Sequence, residues 1–166
     1  MSLEGVLSDF GIGEIFQLIG QQRRTGILEI KRDAAAFEAL MAAYRQPKES
    51  PQEKQARLES IQAATLGAAQ VPLEVASMAV EVLELASQVV AVGNLNAISD
   101  GATGAALAGA ALTGAGYNVR INLAGLDDDS QAGAMLEKLK ELEQRAEDLQ
   151  AQIHSHLAQR GKLSLA

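Results

Sequence analysis

This sequence predicts an all-α fold: a helical bundle of about five helices carrying a short mixed α/β appendage at its N-terminus. Three observations predict it. From residue 33 onward the apolar residues recur at spacings of three and four, the period of one helix face. Aromatic residues make up only 3% of the chain and Trp is absent, so the core must be built from Ala and Leu packed at short range between helices. Helix stops and starts also punctuate the chain, among them Pro47, Ser50-Pro51-Gln52-Glu53, Pro72 and Gly93.

The elements follow in order. In the first 32 residues, short apolar runs are broken by glycines at 5, 11, 13, 20 and 26. Ser8 or Asp9 can cap a short helix with Ile12, Ile15, Phe16 and Ile19 on one face. Thr25-Gly26 suits a turn, and Ile27, Leu28 and Ile30 read as a strand. From Asp33, the residues Phe37, Leu40, Met41 and Tyr44 form one apolar helix face, which Pro47 stops. Ser50 as N-cap, Pro51 at the first helical position and Glu53 at the third make a capping box. That helix is expected to reach Gln70, with Pro72 opening a new one over Leu73–Val92 that ends at Gly93 and Asn94. A Gly/Ala helix is expected over about 97–117. LAGLDDDS at 123–130 reads as a loop, its acids suited to the following helix N-terminus. The last helix spans about 130–159, with Leu139, Leu142, Ala146, Leu149 and Ile153 in a short coiled-coil seam and Gly161 after its end.

Composition excludes several function classes. A net charge of −7 with no basic stripe argues against nucleic acid, since phosphate binding needs clustered Lys and Arg. The chain has no cysteine, hence no thiolate zinc site or disulfide framework, which fits a cytoplasmic location. The N-terminus lacks a basic region leading into an apolar run, so no secretory leader is expected. The uncharged stretch 101–119 is mostly Gly, Ala and Thr, too weakly apolar for a membrane span. His154 and His156 lie two apart and share no helix face, and Asp127, Asp128 and Asp129 lack calcium-loop spacing, so no metal site is expected.

The Gly/Ala helix poses a question. It carries five glycines between residues 101 and 116, each costing about 0.5–1 kcal/mol relative to Ala inside a helix. Gly101, Ala105 and Gly109 recur every fourth residue, as do Gly104, Ala108 and Leu112, a pattern that lets helix backbones approach closely. Polar residues stand at both ends: GNLNAISD at 93–100 and NVRIN at 118–122. They read as capping groups of a buried central helix, or as amides and a helix N-terminus offered to an anionic or amide-rich ligand.

Four segments occurring in this order resemble one family: DAAAFEALMAAYRQPKE at 33–49, AQVPLEVA at 69–76, GNLNAISDGATGAAL at 93–107 and NVRINLAGLDD at 118–128. They are similar to the cyclodeaminase/methenyltetrahydrofolate cyclohydrolase family, which includes the C-terminal domain of formiminotransferase-cyclodeaminase. The resemblance covers residues 33–166 as one helical domain. It implies an all-α homodimer whose substrate is a tetrahydrofolate derivative, without a metal. The implied reaction is closure of 5-formiminotetrahydrofolate to 5,10-methenyltetrahydrofolate with release of ammonia, a lyase activity, or hydrolytic opening of the methenyl ring. The partners implied are folate and a second copy of the chain, with no nucleic acid or membrane.

The resemblance also implies site residues. Asp33 opens the D-x-x-A-F motif and matches the family's acid/base; read locally, it is also the N-cap of its helix. Asn94, Asn96 and Asp100 fall on G-N-x-x-A-x-x-D, and Asn118, Arg120 and Asn122 on N-V-R-I-N, as substrate-binding or supporting groups. For Asn94 and Asn118 structural hydrogen bonding reads equally well. Arg120 can pair with a folate carboxylate or bridge to Asp100. A helix over 97–117 is about 30 Å long, so its two polar ends cannot serve one site within a subunit. A two-fold dimer would bring the second end from a partner, and Asn96 or Asp100 is expected to share a cleft with Asp33.

Residues 1–32 depart from this pattern. They lack the family's Pro-Gly-Gly-Gly-Ser folate-holding segment, which implies an impaired folate site. With L-x-G-x-L-S-D, then I-F-Q-L-I and R-R-T-G-x-L, they resemble the start of the N-terminal domain of PatA-like and gliding-motility regulatory proteins. The alternative reading of the whole chain is therefore a non-catalytic helical interaction module fused to a regulatory fragment.

Overall fold

A computed structural model describes residues 29–126 and 130–163. These residues are helical almost throughout, with four α-helices and no strand among them. Helix α1 covers residues 29–44, α2 Pro51–Val92, α3 Ile98–Leu123 and α4 Ser130–Gln159. A single 3₁₀ turn, Leu95–Ala97, joins α2 to α3. The short N-terminal helix and the strand residues Ile27 and Leu28 lie outside the described residues, as do Asp127–Asp129. Ile30 and Asp33 do not fit their expected roles, because α1 is already helical at residue 29. Ile30 is not in a strand, and Asp33 sits inside α1 rather than capping it.

The expected five helices reduce to four because Pro72 does not break α2. That helix runs unbroken for 42 residues with Pro72 in its interior. A proline there has no N–H for the carbonyl four residues earlier, and its ring crowds that carbonyl. The carbonyl belongs to Ala68, and the Asn122 side-chain amide of α3 donates to it at 3.1 Å. Tertiary contact thus supplies the bond that local structure lacks. The start of α2 follows sequence logic. Ser50 Oγ accepts from the Glu53 N–H at 3.2 Å, and the Ser50 N–H donates to Glu53 Oε2 at 2.8 Å.

α3 is longer than its composition suggested. Nothing between Tyr117 and Leu123 breaks a helix, so NVRIN continues it, and the stop is Gly125, whose φ of +92° suits glycine. Cross-links fix the topology. Arg145 of α4 pairs with Glu84 of α2 at 2.9 Å, and Arg120 of α3 with Glu143 of α4 at 2.7 Å. Two contacts per helix pair give the directions: Gly101 lies by Val90 while Asn122 reaches Ala68, and Gly109 lies by Gln150 while Arg120 reaches Glu143, so α3 runs antiparallel to both α2 and α4, an up-and-down bundle.

The core lies between these three helices. Leu83, Val90, Val119 and Leu139 are its largest fully buried side chains. All five seam residues of α4, from Leu139 to Ile153, are buried within the chain. By length and composition α2 could cross a membrane; here its apolar residues Leu73, Ala76, Val80, Leu83 and Val90 belong to the core. α1 lies on the outside. Its Ala43 is buried, but Phe37 and Tyr44 of the expected apolar face are exposed.

Glycines explain the tight contacts. A Cβ on Gly101 would stand 2.9 Å from Val90 Cγ2, and one on Gly116 would stand 2.9 Å from the Arg120 guanidinium. Gly93 has an ordinary φ of −66°, so its need for glycine is steric: a Cβ would sit on the Val89 carbonyl oxygen, which accepts the Gly93 N–H. The end of α2 is further held by Arg160, whose guanidinium donates to the Val90 carbonyl and, at 2.8 Å, to that of Gly93. Gly93→Ala is therefore expected to lower stability by about 1–3 kcal/mol, the usual cost of overpacking, measurable by denaturant unfolding. An unchanged midpoint would show that the α2–α3 joint yields freely.

Candidate active site

Asp33 lines a cleft of about 470 Å³ between three helices. α1 contributes Glu29, Ile30 and Asp33; α2 contributes an apolar wall of Val71, Pro72, Val75 and Met78; α3 contributes Ala115 and Asn118. Glu29 and Asp33 are one helical turn apart and so share a face of α1. Among the described residues Asp33 makes no ion pair, whereas its neighbour Arg32 is fully engaged. Arg32 pairs with Glu29 at 2.8 Å and with Glu74 of α2, making a second bond to Glu74 at 3.1 Å. Glu74, then Glu29, raises the Arg32 guanidinium pKa, and Arg32 in turn holds the Glu74 carboxyl below its ordinary value. This bridge fastens the first turn of α1 to α2 beside the cleft. Arg57 does the same at the other end of α1, donating to the Tyr44 carbonyl at 3.1 Å with its guanidinium 5.8 Å from the Tyr44 ring centroid.

The six candidate substrate-binding residues separate into two groups. Asn118, Arg120 and Asn122 lie in the last two turns of α3, while Asn94, Asn96 and Asp100 lie at its start. Eighteen residues of helix, about 27 Å, separate Asp100 from Asn118. Within one chain the cleft of Asp33 is therefore shared with Asn118; Asn96 and Asp100, expected there from the same subunit or from a partner, do not reach it within the chain. The reason is the antiparallel packing, which carries the end of α3, not its start, to the level of Pro72.

Local roles are visible for most of these residues. Asn94 caps the 3₁₀ turn, its Oδ1 accepting from the Asn96 N–H at 2.9 Å. Asp100 sits in the first turn of α3, where a negative charge meets the positive end of the helix dipole. Asn118 Nδ2 donates to the Gly114 carbonyl at 2.9 Å, which orients its amide at the cleft edge. Asn122 serves the Ala68 carbonyl. Arg120 does not bridge to Asp100, about 30 Å along the same helix; it forms a two-pronged pair with Glu143 of α4 at 2.8 and 2.7 Å. Gly116 leaves room for this pair, since a Cβ there would stand 3.0 Å from Glu143 Oε1.

Sequence reading missed Glu29, Glu74 and the apolar wall. Only the Glu29–Arg32 spacing carried a local signal; Glu74 lies 42 residues from Arg32 in sequence. A larger open hollow of about 840 Å³ lies between the second half of α1, the first half of α2 and the end of α3, and Asn122 and Tyr44 face it. Among its described lining residues there is no carboxylate, so the Asp33 cleft has the better chemistry for proton transfer. Among the described residues no group of three or more His, Asp or Glu side chains could hold a metal ion.

An all-α bundle whose apolar cleft is lined by two carboxylates, Glu29 and Asp33, and the amide of Asn118 defines the class, and comparison with known proteins narrows it. The formiminotransferase-cyclodeaminase family model matches residues 9–141, and the chain belongs to that family. It is 45% identical over 121 residues to a methenyltetrahydrofolate cyclohydrolase of Methylorubrum extorquens, covering 73% of this chain and 57% of that protein. It is 30% identical over 131 residues to the formimidoyltransferase-cyclodeaminase of Sus scrofa, covering 79% of this chain and 24% of that one. The chain thus spans little more than half of the bacterial relative and a quarter of the mammalian one. The crystal structure of formiminotetrahydrofolate cyclodeaminase from Thermotoga maritima superposes with a TM-score of 0.76 at 28% identity, over 87% of this chain and 68% of that one. The family match begins at residue 9, inside the segment that resembled a regulatory domain, and that resemblance is not borne out. Glu143 and Arg160 lie beyond the matched span.

The ion pairs set an acid limit on stability. Arg120 holds the Glu143 carboxyl below its ordinary 4.5, as Arg32 does that of Glu74. A lowered folded-state value means that the contribution is complete above about 4.5 and fades as pH falls below it. The melting temperature is expected to hold from neutrality to about pH 5 and then to drop. Glu143→Gln should flatten part of that drop, and equal acid sensitivity in parent and variant would show that the Arg120 pair contributes nothing.

Proposed function

We propose that this protein is a folate one-carbon enzyme, and that it acts as a methenyltetrahydrofolate cyclohydrolase. The observation that carries this reading is the meeting of two separate family-like motifs in one cleft, Asp33 from D-x-x-A-F and Asn118 from N-V-R-I-N. The 45% identity to a bacterial cyclohydrolase supports it.

The chemistry suits the residues. The methenyl carbon lies between two nitrogens and carries delocalised positive charge. Water adds there as a base takes its proton, and the ring opens when one carbon–nitrogen bond breaks. Of the two water protons, one ends on the released nitrogen and the other passes to solvent. One carboxylate can move both in turn, and Asp33 is placed for it. The apolar wall from Val71 to Met78 suits the flat face of a pterin, and Asn118 can hydrogen-bond its edge. A second reading, cyclodeaminase, is favoured by the structural likeness to the Thermotoga maritima enzyme. There the same carboxylate would carry a proton to the departing ammonia.

We further read the protein as a homodimer. Among the described residues nothing would come within 4 Å of a Cβ on Gly104 or Gly114 of α3, so the packing described within the chain gives no reason for them. On the same outer face Leu107, Tyr117 and Ile121 are 68%, 68% and 73% exposed. A face of small residues and uncovered apolar side chains suits a partner helix at close range. It would also let Asn96 and Asp100 approach the cleft from the second subunit.

Asp33→Asn is expected to lower turnover of 5,10-methenyltetrahydrofolate by about 10²-fold or more while leaving 5-formyltetrahydrofolate binding nearly unchanged. Unaltered turnover would remove Asp33 from the mechanism. Ammonia release from 5-formiminotetrahydrofolate would favour the cyclodeaminase instead, and binding of neither folate would leave the non-catalytic module. Tyr117→Glu is expected to shift the mass from dimer to monomer in light scattering at micromolar concentration. A monomeric parent chain would overturn the assembly.

A further inference from the structure

Asn122 stands beside residues that can touch substrate, yet its hydrogen bond goes elsewhere. Its Nδ2 donates to the carbonyl of Ala68, a residue only 8% exposed. That carbonyl lacks a helical partner because the residue four positions on is Pro72. Pro72 is itself part of the Asp33 cleft, and Asn118, one turn before Asn122 on α3, forms another part of its lining.

We infer that Asn122 is a positioning residue: by taking up the hydrogen bond that Pro72 leaves open, it fixes α3 against α2 at the level of the cleft and so sets where Asn118 stands relative to Asp33. This rests on the Asp33 cleft being the folate site. The bond is of ordinary length. What gives it weight is the alternative, since a carbonyl of a buried residue that loses its donor is the expensive half of any hydrogen-bond exchange. No such bond ties Asn118 to α2; its amide is tied to its own helix. The Asn122–Ala68 link, 54 residues apart in sequence, is therefore what registers the end of α3 on the middle of α2.

The competing role is direct contact with substrate, because Asn122 also faces the larger hollow. The two roles differ in their dependence on Pro72. If Asn122 serves the Ala68 carbonyl, a residue at position 72 with its own N–H makes the amide dispensable. If Asn122 touches substrate, position 72 is irrelevant to it.

The test is a double-mutant cycle of the parent chain, Asn122→Ala, Pro72→Ala and the two combined, read by melting temperature and by kcat and KM on 5,10-methenyltetrahydrofolate. Asn122→Ala alone is expected to lower the melting temperature by about 5 °C and kcat by about tenfold, with a smaller change in KM. In the Pro72→Ala background the same change is expected to cost at most about 1 °C and about twofold in kcat. If Asn122→Ala alone does not fold, a folded combined variant is itself the rescue expected. Equal losses in both backgrounds would overturn the inference. Coupled melting temperatures in a parent chain that turns over no folate would overturn the functional reading, and the positioning role with it.

Discussion

The packing of α3 against α2 is the contact on which everything else is mounted: Leu73, Ala76, Val80, Leu83 and Val90 share one buried core with Ala105, Ala108, Leu112, Ala115 and Val119, and beside that core lies the hydrogen bond from Asn122 to the Ala68 carbonyl. That bond makes Pro72 tolerable inside α2, so that one long helix replaces the two expected. That helix carries α1 from Arg57 to Glu74 and packs α3 and α4 along its second half. Antiparallel packing brings the end of α3 to the proline, where Val71, Pro72, Val75 and Met78 present an apolar wall. Asp33 and Asn118 line one cleft with this wall because the helices bearing them both pack against the same stretch of α2.

Charge completes what the core leaves loose. The buried core joins α2, α3 and α4, whereas α1 carries exposed Phe37 and Tyr44. Its attachments include polar contacts at either end: Arg32 to Glu74, and Arg57 to the Tyr44 carbonyl. Exposed ion pairs contribute little each, and Ala43 and Glu29 are the buried residues of this helix.

The glycines of α3 record two kinds of neighbour. Gly101 and Gly116 lie under Val90 and under the Arg120–Glu143 pair, and Gly109 under Gln150. Their lack of a side chain is used within the chain. Gly104 and Gly114 have no close neighbour among the described residues and lie on the face that carries exposed Leu107 and Tyr117. In an isolated chain they would only weaken the helix, and the proposed dimer gives them a purpose.

The sequence by itself determined the helical class, the capping box at Ser50, the end of α2 at Gly93 and the buried seam of α4. Each of these is a local matter, decided by neighbours within one or two turns. Through motif resemblance it also pointed to the family and to Asp33. What it could not determine was whether Pro72 ends a helix, because the group that rescues the Ala68 carbonyl lies 54 residues away. Nor could it pair Arg32 with Glu74 or Arg120 with Glu143, or decide which end of α3 meets Asp33. Those outcomes depend on the antiparallel register of α2, α3 and α4. That register is a property of packed helices and cannot be read from residues taken along one chain.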